Sequence, residues 1–126
     1  MKVIHGRASG IASENRKSNC TGTVWGDAVM PTTDGVTVNN VFFTPSGRTH
    51  WHTHDAGQLL QVTAGSGWVC AEGGKPQQIR AGDFVWISPG ERHWHGASSD
   101  SYMIHLAISI GKTNWQENVS DEQYEI

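Results

Sequence analysis

Little in this chain can cross-link, span a bilayer or grip nucleic acid. Cysteine is scarce: Cys20 and Cys70 stand far apart with no C-x-x-C partner, which excludes a thiolate zinc finger. They could pair. The start, Met1-Lys2-Val3-Ile4-His5-Gly6, carries no apolar leader, which favours reduced thiols in a cytoplasm. No stretch approaches the roughly 20 apolar residues of a membrane helix. The richest run, Met103 to Ile110, is broken by His105 and Ser109. Basic runs are absent and the formal charge is -3, which argues against a nucleic-acid partner. No segment keeps a helical period for more than about two turns, and no repeat or linker is evident. With 126 residues, the chain is expected to form one domain, 1–126, with one core and one small pocket.

Histidine and tryptophan are abundant instead, seven and six respectively. Six of the seven histidines fall between His50 and His105, and His5 is expected at the surface. His50, His52 and His54 are spaced by two, as are His93 and His95. Side chains alternate along a strand, so each set is expected on one face. Imidazoles aimed at one point suit a transition metal.

The rest of the chain reads as short strands between Gly/Pro turns, the pattern of an all-β sandwich or barrel. Residues 1–20 are expected as an arm, 21–112 as the barrel and 113–126 as a helical tail. Thr21 to Trp25 and Val36 to Thr44 read as strands, with Gly26 to Gly35 as loop. Ala64-Gly65-Ser66-Gly67 reads as a tight hairpin turn, and Phe84 to Ile87 as a buried strand. Asn114 to Val119 reads as a helical turn. Ser120-Asp121-Glu122-Gln123 fits a capping box that opens a short C-terminal helix.

Parity groups the interior candidates. Arg48, His50, His52 and His54 form one set, opposed by Trp51 and Thr53. His93 and His95 oppose Trp94. Met103, His105, Ala107 and Ser109 share a face, as do Asn39, Val41 and Phe43. Alternation usually means polar side out, but a solvated face carries Lys, Glu and Thr, whereas these carry histidine almost alone.

Residues 46 to 97 resemble the two motifs of the cupin superfamily. His52-Thr53-His54, three residues, Gln58, six residues and Gly65 follow the first motif. Gly82-Asp83 and then Ser88-Pro89-Gly90-Glu91-Arg92-His93 follow the second. Ser46 stands for an opening glycine, Ser88 for a proline and Gln58 for a glutamate. Thr21 to Tyr124 further resembles the small cupins related to carboxymuconolactone decarboxylase, a group that includes bacterial manganese-dependent hydroxynitrile lyases.

That resemblance implies a jelly-roll β-barrel with a short C-terminal helix and a homodimer or higher homo-oligomer. It also implies one divalent ion on His52, His54, Gln58 and His93. Mn(II) is expected first; Fe(II), Zn(II), Ni(II) and Co(II) also suit imidazole with a neutral oxygen. His95 and His105 are the candidates for proton transfer. Asn39, Val41, Ser109, His50 and Arg48 are expected around a small-molecule substrate. The implied activity is cyanohydrin cleavage. A metal-dependent oxygenase acting on a small carbonyl or phenolic compound, and a non-catalytic ligand- or metal-sensing cupin, are the other readings.

Overall fold

The computed structural model describes residues 1–6 and 10–124. Residues 7–9 of the expected arm, and the last two residues of the expected tail, lie outside the described residues. The chain runs β1 (Glu14–Asn15), β2 (Cys20–Thr21), β3 (Val24–Thr33), β4 (Val36–Phe43), β5 (Arg48–Thr49), β6 (His52–His54) and β7 (Gln58–Ala71). It continues through β8 (Gln77–Arg80), β9 (Phe84–Ile87), β10 (His93–Ala97), β11 (Met103–Ile110) and β12 (Thr113–Trp115) to α1 (Asp121–Tyr124). All pairings are antiparallel, and the strands form one curled sheet, with the all-β architecture that the turn spacing predicts.

The segment expected as a loop from Gly26 to Gly35 is mostly strand β3. Register shifts between Ala28 and Met30, and between Met30 and Thr33, absorb its irregular residues. Pro31 falls inside the second of these shifts, where regular pairing with β4 lapses. The turn itself shrinks to Asp34 and Gly35, both at positive φ (51° and 81°), the geometry that suits a two-residue hairpin.

Strand β7 joins the two halves of the sheet. Its first part pairs with β11 and β9, its second with β8 and β10. The expected hairpin at Ala64 to Gly67 is therefore a strand that bends. A Cβ on Gly65 would sit 1.8 Å from Tyr102 O, and one on Gly67 would sit 2.0 Å from Gly96 O. These glycines mark close backbone approach at a corner, next to a bulge at Ile104/His105. The expected helical turn at Asn114 is likewise the start of a strand pair: β12 lies along β6, Thr113 opposite His54 and Trp115 opposite His52. The capping box forms as expected. Ser120 N donates to Gln123 Oε1 (2.9 Å) and Gln123 N to Ser120 Oγ (3.2 Å).

The interior has an apolar half and an imidazole half. Val24, Phe43, Val62, Ile79, Ala97 and Met103 fill the first. The Phe43 ring reaches into the second, 5.1 Å from the His105 ring centre and 6.0 Å from that of His95. A separate layer lies outside the sheet, where Trp51, Cys70, Trp94, Val119 and Tyr124 pack together. Trp51 and Trp94 are thus packing residues, as parity implies. Strand β9 is only half buried: Ile87 faces in, whereas Phe84 and Trp86 are exposed. No helix among the described residues is long and apolar enough to cross a membrane.

Candidate metal centre

Strands β6 and β10 meet with His52 directly opposite His93, and β11 brings Ser109 opposite Gln58. His52, His54, Gln58, His93, His95 and His105 are all buried, at 3 % exposure or less. Each of the first three imidazoles is aimed by a bond on its outer nitrogen. His52 Nδ1 donates to His50 O (2.8 Å) and His93 Nδ1 donates to Glu91 O (2.9 Å). His54 Nδ1 bonds Thr113 Oγ1 (3.0 Å). A proton held on Nδ1 leaves Nε2 of His52 and His93 as a bare lone pair. Gln58 Nε2 donates to Ser109 Oγ (3.0 Å), which turns its carbonyl oxygen to within 3.3 Å of His93 Nε2.

The donor set fits a cation. His93 Nε2 and Gln58 Oε1 are two acceptors face to face, and His54 Nε2 is buried with no hydrogen-bond partner. Buried acceptors in that state are costly unless a positive centre serves them. The ligand nitrogens of His52, His93 and His95 lie within 4.8 Å of one another, so the tightest triad includes His95 where the resemblance implies His54. The His54 ring centre is 5.0 Å from that of His52 and 5.4 Å from that of His93. Burial lowers the proton affinity of all five histidines. His54 and His105 fall to about 4, and His52, His93 and His95 fall below the ordinary imidazole value. Neighbouring imidazoles lower those of His52, His54 and His95 further. The rings are therefore neutral near pH 7, the state a metal requires.

His95 and His105 form a pair. His105 Nε2 and His95 Nδ1 are 2.9 Å apart and share one proton. His95 Nε2 is left buried without a partner. Moving the shared proton across the pair decides whether that nitrogen offers a proton or accepts one.

A cavity of about 80 Å³ lies against these groups. Asn39, Val41 and Ser109 line it, the place the resemblance implies. Arg48 and His50 do not, which corrects their expected place. The strand stops after Thr49 and resumes at His52. Between them His50 N donates to Asn19 O (2.8 Å) and Trp51 N to Glu117 O (2.9 Å), so the chain turns aside and the phase resets. Thr49, not Arg48, then faces the cavity. Arg48 points the other way and anchors the C-terminal segment. Its Nη2 donates to Val119 O (2.9 Å) and Asp121 Oδ1 (2.8 Å), and its guanidinium lies 4.5 Å from the centre of the Tyr124 ring.

Sequence reasoning missed Arg16, Cys20, Thr113 and Trp115 at the cavity. Trp115 lies against His52, ring centres 4.5 Å apart. The β-branched Thr113 and aromatic Trp115 flanking Asn114 were a readable strand signal. Burial pushes the Cys20 thiol up to about 12, against the lowering effect of Arg16, so it stays protonated and is no nucleophile.

A curled β-sheet with inward imidazoles from several strands is a scaffold whose three-histidine cluster could hold a metal ion. Residues 40–109 match the family described as Cupin domain, and the chain belongs to the cupins. It is 51 % identical over 110 residues, 82 % of this chain and 84 % of the relative, to an (R)-mandelonitrile lyase from Granulicella tundricola. Among solved structures, a cupin-like protein from Thermotoga maritima superposes with a TM-score of 0.82 at 36 % identity, covering 85 % of this chain and 86 % of that one. A polyketide cyclase from Streptomyces resistomycificus shares the fold, with a TM-score of 0.73 at 21 % identity over 99 % and 91 % of the two chains.

Proposed function

We propose that this cupin is a metal-dependent lyase that cleaves a cyanohydrin into a carbonyl compound and hydrogen cyanide. The observation that carries the reading is His95 Nε2: buried, unpartnered, backed by His105 and beside the imidazole cluster. The relative named (R)-mandelonitrile lyase supports the same class of substrate.

His52, His54, Gln58 and His93 would hold one divalent ion, Mn(II) in our reading. When bound, that ion supplies a positive centre that draws in oxygen donors and acidifies a hydroxyl. The other contributions belong to the chain. His95 Nε2 accepts the substrate's hydroxyl proton as the carbonyl forms. The carbon–carbon bonding pair leaves on cyanide, and the imidazolium returns the proton to it, giving hydrogen cyanide. His105 is the positioning residue: it fixes the His95 ring and sets which nitrogen holds the proton. Gln58, neutral where a glutamate would be charged, leaves the centre one charge more positive and therefore better suited to a departing anion.

Benzaldehyde release from mandelonitrile under argon, lost in His95→Ala and lowered in His105→Ala at unchanged metal content, tests this reading. Consumption of dioxygen with a small diketone or phenol, and no release of benzaldehyde, would replace it with an oxygenase. A homodimer and a cytoplasmic setting belong to the same proposal. Ile108, Leu59 and Trp86 stand in register across three strands on the outer face of the sheet. Ile108 and Leu59 are half-buried and Trp86 is 55 % exposed, an apolar row that a second copy would cover. Light scattering on the wild type and on Ile108→Glu reads this directly: a dimer that becomes a monomer supports it, and a wild-type monomer refutes it.

A further inference from the structure

Arg16 follows β1, and its backbone is tied down: Asn15 pairs with Trp25, and Arg16 N donates to Val24 O (2.9 Å). Its guanidinium then lies across Gly26. A Cβ at that position would stand 2.4 Å from Arg16 Nε and 2.7 Å from Cζ. The glycine keeps the path open, and a larger residue would displace the cation. This places a permanent positive charge in the wall of the cavity that also holds Asn39, Gln58 and His95.

Its donors are scarcely used. Nη2 reaches Asn39 Oδ1 only at 3.4 Å, and Nε is buried with no hydrogen-bond partner. Glu14 Oε1 lies 3.8 Å from Nε, beyond hydrogen-bond reach, on a side chain that is 73 % exposed. A guanidinium presents five N–H donors in a planar fork matched to a carboxylate. No aspartate or glutamate lines the cavity among the described residues; the carboxylate paired with Arg16, that of Glu14, stands outside the lining, and the guanidinium itself is partly open to solvent. Asn39, whose Oδ1 is turned to Arg16, keeps its Nδ2 as a further donor.

We propose that Arg16, with Asn39, is the subsite for a carboxylate, and that the natural substrate is a small hydroxylated compound carrying one, mandelonitrile being only a probe of the bond cleavage. The carboxylate sits on the guanidinium fork while the hydroxyl end faces His95 and the imidazole cluster. This rests on the reading of the cavity as the substrate site, and not on which bond is broken there.

The test compares lactate with lactamide, equal in shape and different in charge, by calorimetric titration. Both metal-free and manganese-loaded wild-type protein are used, with Arg16→Gln and Arg16→Lys alongside. Metal content and circular dichroism confirm that the variants are loaded and folded. In the wild type, lactate binds at least about tenfold more tightly than lactamide, with or without metal. Arg16→Gln abolishes that preference and leaves lactamide binding unchanged. Arg16→Lys keeps part of it, because it retains the charge but loses the fork. Equal affinity of wild type for the two probes, or a lactate preference that survives Arg16→Gln, overturns the carboxylate subsite and leaves the cavity reading standing. If neither probe binds nor shifts the His95 and His105 ring resonances, both fall together.

Discussion

Acid should destabilise the metal-free protein well above the pH at which carboxylates protonate, and His105 sets the minimum size of the effect. The ring is fully buried and its proton affinity falls from the ordinary value near 6.5 to about 4, through burial. The folded state thus binds fewer protons than the unfolded chain between those values. Stability is complete above pH 6.5, drains away as pH falls, and the loss is full below about pH 4. Each tenfold in proton affinity is worth about 1.4 kcal/mol, so His105 alone removes about 3 kcal/mol in total and about 2 kcal/mol by pH 5. His52, His54, His93 and His95 shift in the same direction and can only add to this. Urea unfolding of chelator-treated protein, followed by tryptophan fluorescence at pH 7.5 and pH 5, measures the gap. In His105→Gln, which cannot titrate, the gap should narrow by about 2 kcal/mol. A wild type equally stable at the two pH values, or a gap untouched by His105→Gln, would refute the reasoning.

Five further outcomes follow from the same structure. At pH 5.5, three ordinary histidines would release nearly three protons on binding a metal, at roughly 90 % protonation each. His52, His54 and His93, all with lowered proton affinity, should release fewer than that, read by calorimetry in buffers of different ionisation enthalpy; release of nearly three would refute the shift. Arg48→Ala should cost about 2–4 kcal/mol in thermal or urea melts, because it orphans Val119 O and frees the C-terminal segment. Asp121→Ala should cost under about 1 kcal/mol, since the aspartate side of that pair is 89 % exposed. Gly65→Ala should prevent folding or cost more than about 3 kcal/mol, because its Cβ would overlap Tyr102 O. Gly73→Ala, at a similar positive φ but with open space around it, should cost about 1 kcal/mol.

What the sequence made legible was whatever alternation controls over an unbroken strand. Met103, His105, Ala107 and Ser109 are buried in turn while Ile104, Leu106 and Ile108 are half-exposed, as period two requires. In β10, buried throughout, and in β4, half-buried almost throughout, burial does not alternate; there the cavity marks the face, lined by His95, Asn39 and Val41. Failures came where a strand stops, bends or bulges. Two residues, His50 and Trp51, lie outside any strand, and that gap exchanges Arg48 for Thr49 at the cavity. Gly65 and Gly67 looked like a turn because a glycine pair has two physical uses, a reversal of the chain or close approach to another backbone. Only the neighbours Tyr102 and Gly96, distant in sequence, decide between them. Arg16 could not have been found by pattern, since its aim depends on the absence of a side chain at Gly26, across the β1–β3 pair.

The electrostatics of the cavity tie these features together. Every buried polar group that faces it is neutral near pH 7: imidazoles with lowered proton affinity, an amide at Gln58, a hydroxyl at Ser109 and a protonated thiol at Cys20. The fixed charge in the wall is the Arg16 cation, met from outside by the mostly exposed Glu14, with no lining carboxylate among the described residues. A divalent ion would add two charges of the same sign. Low-dielectric walls magnify such an imbalance, so it must be met by anionic ligands or by a reaction that generates an anion. Replacing Gln58 by glutamate removes one unit of that excess without changing the shape of the side chain. Anion affinity of the metal-loaded protein, titrated with azide, should therefore fall by about tenfold in Gln58→Glu. Affinity unchanged or tighter in the variant would mean that the neutral amide serves packing and the bond to Ser109 rather than charge.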